Sequence, residues 1–347
     1  MEKQASKSYL FDNLRVILIT FVVLGNLVAP MLAGKMQVVY IYINIFHMPL
    51  LVFCSGYSAE FNPQKIVKNL IYPYMLFQTL YLVFDKILLK KEGIPLQIFS
   101  PYWLMWYVFA LAVWTMALPI IEVIVSNKIR MIITMGIALL LGLIAGFTEI
   151  FGGFSEVMKV FYYLPFFIFG YWIKKFVGIE KFHEILSKWY VKHFSFLITA
   201  VIMWFLYMFY GRFNFKWLFG SYSYIAGEYS YRIRLFCYAA AVIISIFVIT
   251  VTPRKKLFFS KFGERTLQVY LLHGFIISVL SKYGIIYNTI SRGYQRIIIV
   301  TILAALLVLG LSSNPVQKIS SPLMSFPFKF NDIDFKKFKR KKKAKKA

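Results

Sequence analysis

Arg15 and Asn26 bracket an apolar stretch, Phe11-Asp12-Asn13-Leu14-Arg15 through Leu24-Gly25-Asn26, and stand eleven residues apart. At about 100° per residue that spacing closes three helical turns with roughly 20° to spare, so both side chains share one face about 16 Å apart. A cation at a membrane boundary with a polar group three turns deeper reads as a line of polar side chains leading inward from water. Lipid cannot satisfy such groups, whereas a protein interior or a wet cavity can. The plainer alternative is an arginine that snorkels at one end of the helix and an asparagine that marks the other. His47 lies in the next apolar segment, eight residues before Ser55. An imidazole titrates near neutral pH and can act as a base, and Ser55 would need such a neighbour to act as a nucleophile. A hydrogen-bonded helix contact is the structural alternative for His47, and small-residue packing for Ser55-Gly56. Asp12 is one turn from Arg15 and can pair with it. Lys65 and Lys68 offer point charges, either to a phosphate-bearing ligand or simply to orient the chain. Trp106 and Tyr107 can wall a substrate path or pack. His273 reads as a structural polar contact. The four histidines show no ligand spacing, so no metal is expected. No Gly-rich phosphate loop and no Gly-x-Ser-x-Gly elbow is present.

The elements that must position these residues are membrane helices. Of 347 residues 60% are hydrophobic, 19% aromatic and only 16% charged, well beyond the apolar share of a soluble domain. Mean hydropathy is +0.67. About ten segments are long and apolar enough for a ~30 Å hydrocarbon core. They are 11–29, 38–59, 68–89, 103–125, 130–149, 158–176, 194–211, 233–252, 266–282 and 296–313. The expectation is an all-α polytopic membrane protein, with a transmembrane domain over 1–320 and a basic tail over 321–347. The formal charge of +26 does not point to nucleic acid, because the cations sit in short loops and in the tail. With an even number of spans, Lys65, Lys68, Lys174, Lys175, Arg254, Lys255, Lys256 and the tail gather on the side of the N-terminus. Far fewer cations, among them Lys90, Lys91, Arg212 and Lys216, fall on the other. The positive-inside rule then places both termini in the cytoplasm. The tail should lie on anionic lipid, at about 1 kcal/mol for each basic residue near the surface. No cleavable leader is expected, since no small-residue cleavage pattern precedes the first apolar segment. Cys54 and Cys237 fall inside apolar segments and should be free thiols. Residues 211–231, rich in Tyr, Phe, Ser and Gly, form the longest polar insert on the far side. They suit either an interfacial aromatic belt or sugar contacts.

Several blocks carry a resemblance. Asp12-Asn13-Leu14-Arg15 with Val22-Val23-Leu24-Gly25 comes first, followed by Phe46-His47-Met48-Pro49-Leu50 and Phe53-Cys54-Ser55-Gly56-Tyr57. Tyr72-Pro73-Tyr74, Tyr102 through Tyr107, Leu164 through Tyr171 and Tyr270-Leu271-Leu272-His273-Gly274 then follow in order. Together they resemble the membrane acyltransferase-3 family over nearly the whole chain, most of all its fucose 4-O-acetylase-like branch. The resemblance implies about ten helices around a central polar reaction chamber. It implies transfer of an acyl group, usually acetyl, from cytoplasmic acetyl-CoA to a hydroxyl of a cell-surface polysaccharide or its lipid-linked precursor. It places Arg15, Lys65, Lys68 and Ser55 toward the coenzyme, Asp12, Trp106 and Tyr107 toward the acceptor, and His47 in the chamber wall.

The family's arginine is followed after ten residues by a histidine, and Asn26 occupies that position. An asparagine amide can orient a group or donate to an oxyanion but cannot take a proton at neutral pH. Loss of a general base typically costs 10²–10⁴-fold in rate. Either the chain is a deliberately inactivated form, or it is a natural variant that is inactive or uses another base. Because the surrounding pattern is undamaged, an impaired enzyme is the expectation. A non-catalytic sensor and a transporter or flippase of a lipid-linked sugar are the alternatives. Neither inverted repeats nor paired broken segments are visible in support of transport.

Overall fold

The computed structural model describes residues 9–32, 34, 36–93, 100–124, 127–147, 155–286 and 293–324, and among them all regular structure is helical. The elements are α1 (Leu10–Val28), α2 (Met36–Ser58), α3 (Pro63–Ile66), α4 (Tyr72–Val83), α5 (Trp106–Ile124) and α6 (Lys128–Ile144). They continue as α7 (Ser155–Trp172), α8 (Ile179–Ser187), α9 (Trp189–Met208), α10 (Tyr231–Val251), α11 (Thr266–Tyr283), α12 (Gly293–Leu311) and α13 (Asn314–Met324). A wide turn at Val67–Ile71 joins α3 to α4, and similar turns extend α4 through Leu88 and α7 through Val177. Each of the ten expected segments therefore overlaps a helix. Among the described residues, five helices have the length and composition of a membrane span: Leu10–Met31, Met36–Ser58, Trp103–Ile124, Trp189–Met208 and Tyr231–Val251. A sixth counts if Gln295–Leu311 and Asn314–Met324, which meet at 66°, form one span. The shortfall from ten has visible causes: α6 has only 17 residues, and α7 opens with Glu156 and Lys159. The basic stretch beyond Met324 lies outside the described residues.

α1 and α2 form the centre. In the most apolar window of α2, 78% of residues are buried inside the protein, against 17% for α9. That difference separates a core helix from one whose apolar side chains face lipid. α2 packs against α1, α7 and α10. Its contact with α7 is nearly backbone to backbone. A Cβ on Gly56 would stand 2.0 Å from the Phe167 carbonyl oxygen, and one on Gly170 would stand 2.0 Å from that of Phe53. Small residues at a crossing allow this approach, which is what tight packing between membrane helices requires. α2 runs through Pro49, which is buried and has no N–H to give the Ile45 carbonyl. Cys54 and Cys237 are free and buried.

The aromatic insert is folded around one buried cation. The Arg234 side chain is fully buried and donates to the carbonyls of Gly142 (2.8 Å) and Tyr222 (3.0 Å) and to the Tyr229 hydroxyl. Its guanidinium also lies 4.8 Å, 5.3 Å and 5.4 Å from the rings of Tyr224, Tyr162 and Tyr229. Planar donors in a tyrosine box can take the place of a carboxylate partner. The insert is thereby held to α6, α7 and α10. Arg234→Leu should cost roughly 2–5 kcal/mol by leaving buried acceptors unpaired and removing the cation–π contacts. Arg234→Lys should recover only part of that loss. Thermal unfolding of the purified variants in detergent checks this, and an unchanged Tm for Arg234→Leu refutes the role.

Candidate active site

A polar cavity of about 260 Å³ opens near the end of α1 that carries Asn26. Asn26 lines it from α1, and Tyr40, Asn44 and His47 line it from α2. Trp103 and Leu104 come from the helical turn before α5, Trp106 from the start of α5, Glu156, Lys159 and Tyr163 from α7, Tyr222 from the insert, and Tyr270 from α11.

Helix geometry fixes the donors and acceptors here. Asn26 Nδ2 donates to the Val22 carbonyl one turn back (2.9 Å), which leaves its Oδ1 as an acceptor. Asn44 Nδ2 does the same to Tyr40 (2.8 Å). His47 Nδ1 is 2.7 Å from the Ile43 carbonyl. A carbonyl only accepts, so Nδ1 carries the hydrogen and Nε2 keeps its lone pair for the cavity that His47 lines. Lys159 Nζ donates to Glu156 (2.6 Å) and sits 5.1 Å from the Trp106 ring centre. That pair brings one carboxylate and one ammonium to the cavity. Trp103 holds a left-handed backbone, φ +46°. Such a conformation costs an L-residue about 1–2 kcal/mol. The neighbouring backbone is pinned on both sides, by the Tyr102 N–H on Gln78 Oε1 (2.9 Å) and the Tyr270 hydroxyl on the Leu104 carbonyl (2.6 Å).

Arg15 lies at the opposite end of α1. Its guanidinium donates to the Ser58 hydroxyl of α2 and stands 3.8 Å from the Asp12 carboxylate. Both Arg15 and Asn26 thus face α2, as the eleven-residue spacing requires. Two serine hydroxyls of α2 follow from Ser58 toward the middle of the helix, each bonded to its own backbone. Ser58 donates to the Cys54 carbonyl (3.0 Å) and Ser55 to the Leu51 carbonyl (2.9 Å). With the Ser55 hydrogen committed there, the Tyr107 hydroxyl is the donor in their 2.7 Å contact. Tyr107 also lines a cavity of about 90 Å³ with Ile19, Thr266 and Tyr270. Tyr270 lines both cavities.

Two structures at the Arg15 end matter for charged ligands. Asn13 is fully buried and donates to the carbonyls of Pro253 (2.8 Å) and Lys255 (3.0 Å), while its Oδ1 accepts from Ser260 (2.5 Å). These bonds fasten the loop carrying Lys255, Lys256 and Lys261, all exposed, beside the start of α1. Lys65 and Lys68 follow α2 on the helical run through α3 and are outside both cavities.

The arrangement unites Asn26, His47 and Trp106 in one cavity and Arg15, Asp12 and Ser58 at the other end, with Ser55 and Tyr107 between. Tyr107 therefore lines the small cavity and not the polar one. No imidazole or carboxylate is bonded to Ser55 among the described residues, which leaves it without the partner a nucleophile needs. His273 is fully buried with Nδ1 3.0 Å from the Val269 carbonyl, a structural contact. Sequence reasoning missed Glu156, Lys159, Tyr40, Asn44 and Tyr270. The first two had a readable signal, opposite charges three residues apart at the edge of an apolar segment. Asn13 had the signal of an amide in the first turn of the same segment.

A family model described as an acyltransferase domain matches residues 9–313. No curated protein and no solved structure matches the chain.

Proposed function

The chain belongs to the acyltransferase-3 family, and on that premise we propose that it is an integral-membrane O-acetyltransferase. It moves acetyl from cytoplasmic acetyl-CoA to a hydroxyl of a cell-surface polysaccharide or its lipid-linked precursor. The observation that carries the reading is the pairing, along α1 and α2, of Arg15 on Ser58 at one end with the polar cavity of Asn26 and His47 at the other, the Ser55–Tyr107 contact standing between them. A thioester bound at one end and a hydroxyl bound at the other would meet between them. In this reading the protein sits in the cell membrane with the Arg15 face and both termini in the cytoplasm and the tail on anionic lipid, which the excess of cations on that side supports.

In this reading Arg15, with Lys255, Lys256 and Lys261 close by, receives the coenzyme's phosphates. Cations and charge-assisted donors are what those groups require. The Tyr107 and Ser55 hydroxyls mark the route of the acyl arm. The acceptor hydroxyl enters the larger cavity, where Asn26 Oδ1, Asn44 and the Glu156–Lys159 pair orient it against Trp106. A base must take its proton as the oxygen attacks the thioester carbonyl, and the coenzyme thiolate then leaves with a proton. Asn26 cannot be that base, which makes the chain an impaired form of the enzyme. His47, whose Nε2 lone pair is available, supplies the residual proton transfer.

Labelled acetyl-CoA and purified protein test the reading. Arg15→Ala should weaken acetyl-CoA binding about 10- to 150-fold, the worth of a charge-assisted contact, while leaving the fold intact. Arg15→Lys should rescue it in part, because lysine lacks the planar fork. Unchanged affinity in a direct titration would remove Arg15 from the donor site. A sensor or a flippase would show no acetyl turnover in any variant.

A further inference from the structure

A second concavity, apolar where the first is polar, is the larger of the two. A groove of about 510 Å³ runs between α2, α9 and α10, lined among others by Ile41, Ile45, Phe205 and Ala240, with Arg232 the one ionised side chain in its wall among the described residues. Its relation to the polar cavity is close. Along α2, Ile41 and Ile45 face the groove, while their neighbours Tyr40 and Asn44 face the polar cavity. Adjacent helical residues point about 100° apart, so the thickness of one helix separates the compartments. The insert repeats the division: Phe213, Trp217 and Leu218 line the groove, and Phe219 and Tyr222 the polar cavity.

Cations mark the crossing. Arg232 is exposed at the groove. Lys216, on the dividing turn, sits 5.4 Å from the ring centre of Tyr222, a residue of the polar wall. A ligand spanning both compartments therefore meets apolar surface, then positive charge, then a polar and aromatic cavity.

We propose that this groove seats the lipid chain of a phosphate-linked glycolipid, with its phosphate on Arg232 and Lys216 and its sugar in the polar cavity. The proposal rests on the acyl-transfer reading only in taking that sugar as the acceptor. Ordinary bilayer lipid would wet the apolar wall and can set its phosphate on the cations, but it carries no sugar to fill the polar cavity.

The test uses the full chain in nanodiscs with three photoreactive probes. These are a polyprenyl phosphate carrying one sugar, the same lipid phosphate without sugar, and phosphatidylglycerol. Cross-linked peptides are mapped by mass spectrometry. The sugar-bearing probe should label α9, α10 and the 213–218 turn more strongly than either control. Arg232→Gln should cut that labelling by at least about 10-fold, the loss of one charge-assisted contact. Val201→Trp, on the exposed lip of the groove, and Ala240→Trp, in its floor, should do likewise. Val201→Trp keeps the test independent of core packing, and an unchanged Tm in detergent shows that each variant is folded. Equal labelling by phosphatidylglycerol, or labelling indifferent to Arg232→Gln and Val201→Trp, overturns the proposal. Because labelling needs no turnover, its loss is distinguishable from failure of the acyl-transfer reading, which is judged on water-soluble acceptors.

Discussion

Asn26→His raises acetyl transfer by at least about 10²-fold, the lower end of what a positioned general base contributes. The histidine would stand in the wall of the polar cavity, next to the acceptor's hydroxyl and three turns from Arg15 on the same face of α1. The amide now present gives one N–H to the Val22 carbonyl and keeps a second N–H and an acceptor oxygen, neither of which is a base. That oxygen can hold a hydroxyl in place but gives its proton nowhere to go. A neutral imidazole accepts the proton, so activity of the variant should fall as pH drops through the imidazole's pKa and hold on the alkaline side. The measurement is turnover of labelled acetyl-CoA by purified protein with a panel of sugar acceptors, across pH. A variant that stays inert with every acceptor, while sugar translocation or signalling persists, defeats the enzyme reading.

His47→Gln should remove most of the activity that the asparagine form retains, by about 10²–10⁴-fold. The argument is the fixed tautomer. The Ile43 carbonyl, 2.7 Å from Nδ1, holds the hydrogen on that nitrogen and directs the lone pair of Nε2 to the cavity. Glutamine retains a comparable polar reach and removes only the basic nitrogen. The Asn26→His background separates catalysis from packing. If His47 is the substitute base, its loss should matter far less once a histidine occupies position 26. If it serves the fold, the loss should be the same in both backgrounds. A third result, full activity of the asparagine form that vanishes with His47→Gln, would make His47 the base outright and end the description of the chain as impaired.

Composition and periodicity were enough to establish a helical membrane protein, because burying backbone in lipid leaves few options and the apolar segments are long. The Arg15–Asn26 face was also readable, since it depends on helical pitch alone. The order of motif blocks carried the family. What none of these could reveal is which distant segments share a wall. Glu156 and Lys159 share a cavity wall with Asn26 because α7 packs along α2, closely enough at Gly56 and Gly170 for backbone to meet backbone. Likewise, the insert became part of the site through Arg234, a cation that reads in sequence as an ordinary boundary charge. Its burial in a tyrosine box depends on α6, α7 and α10 closing around it. The tautomer of His47 is local and follows from the helix, but its value depends on the cavity that His47 lines, which six separate segments enclose. Local pitch is encoded residue by residue. Cavities arise from long-range packing, and one sequence without its folded contacts does not specify them.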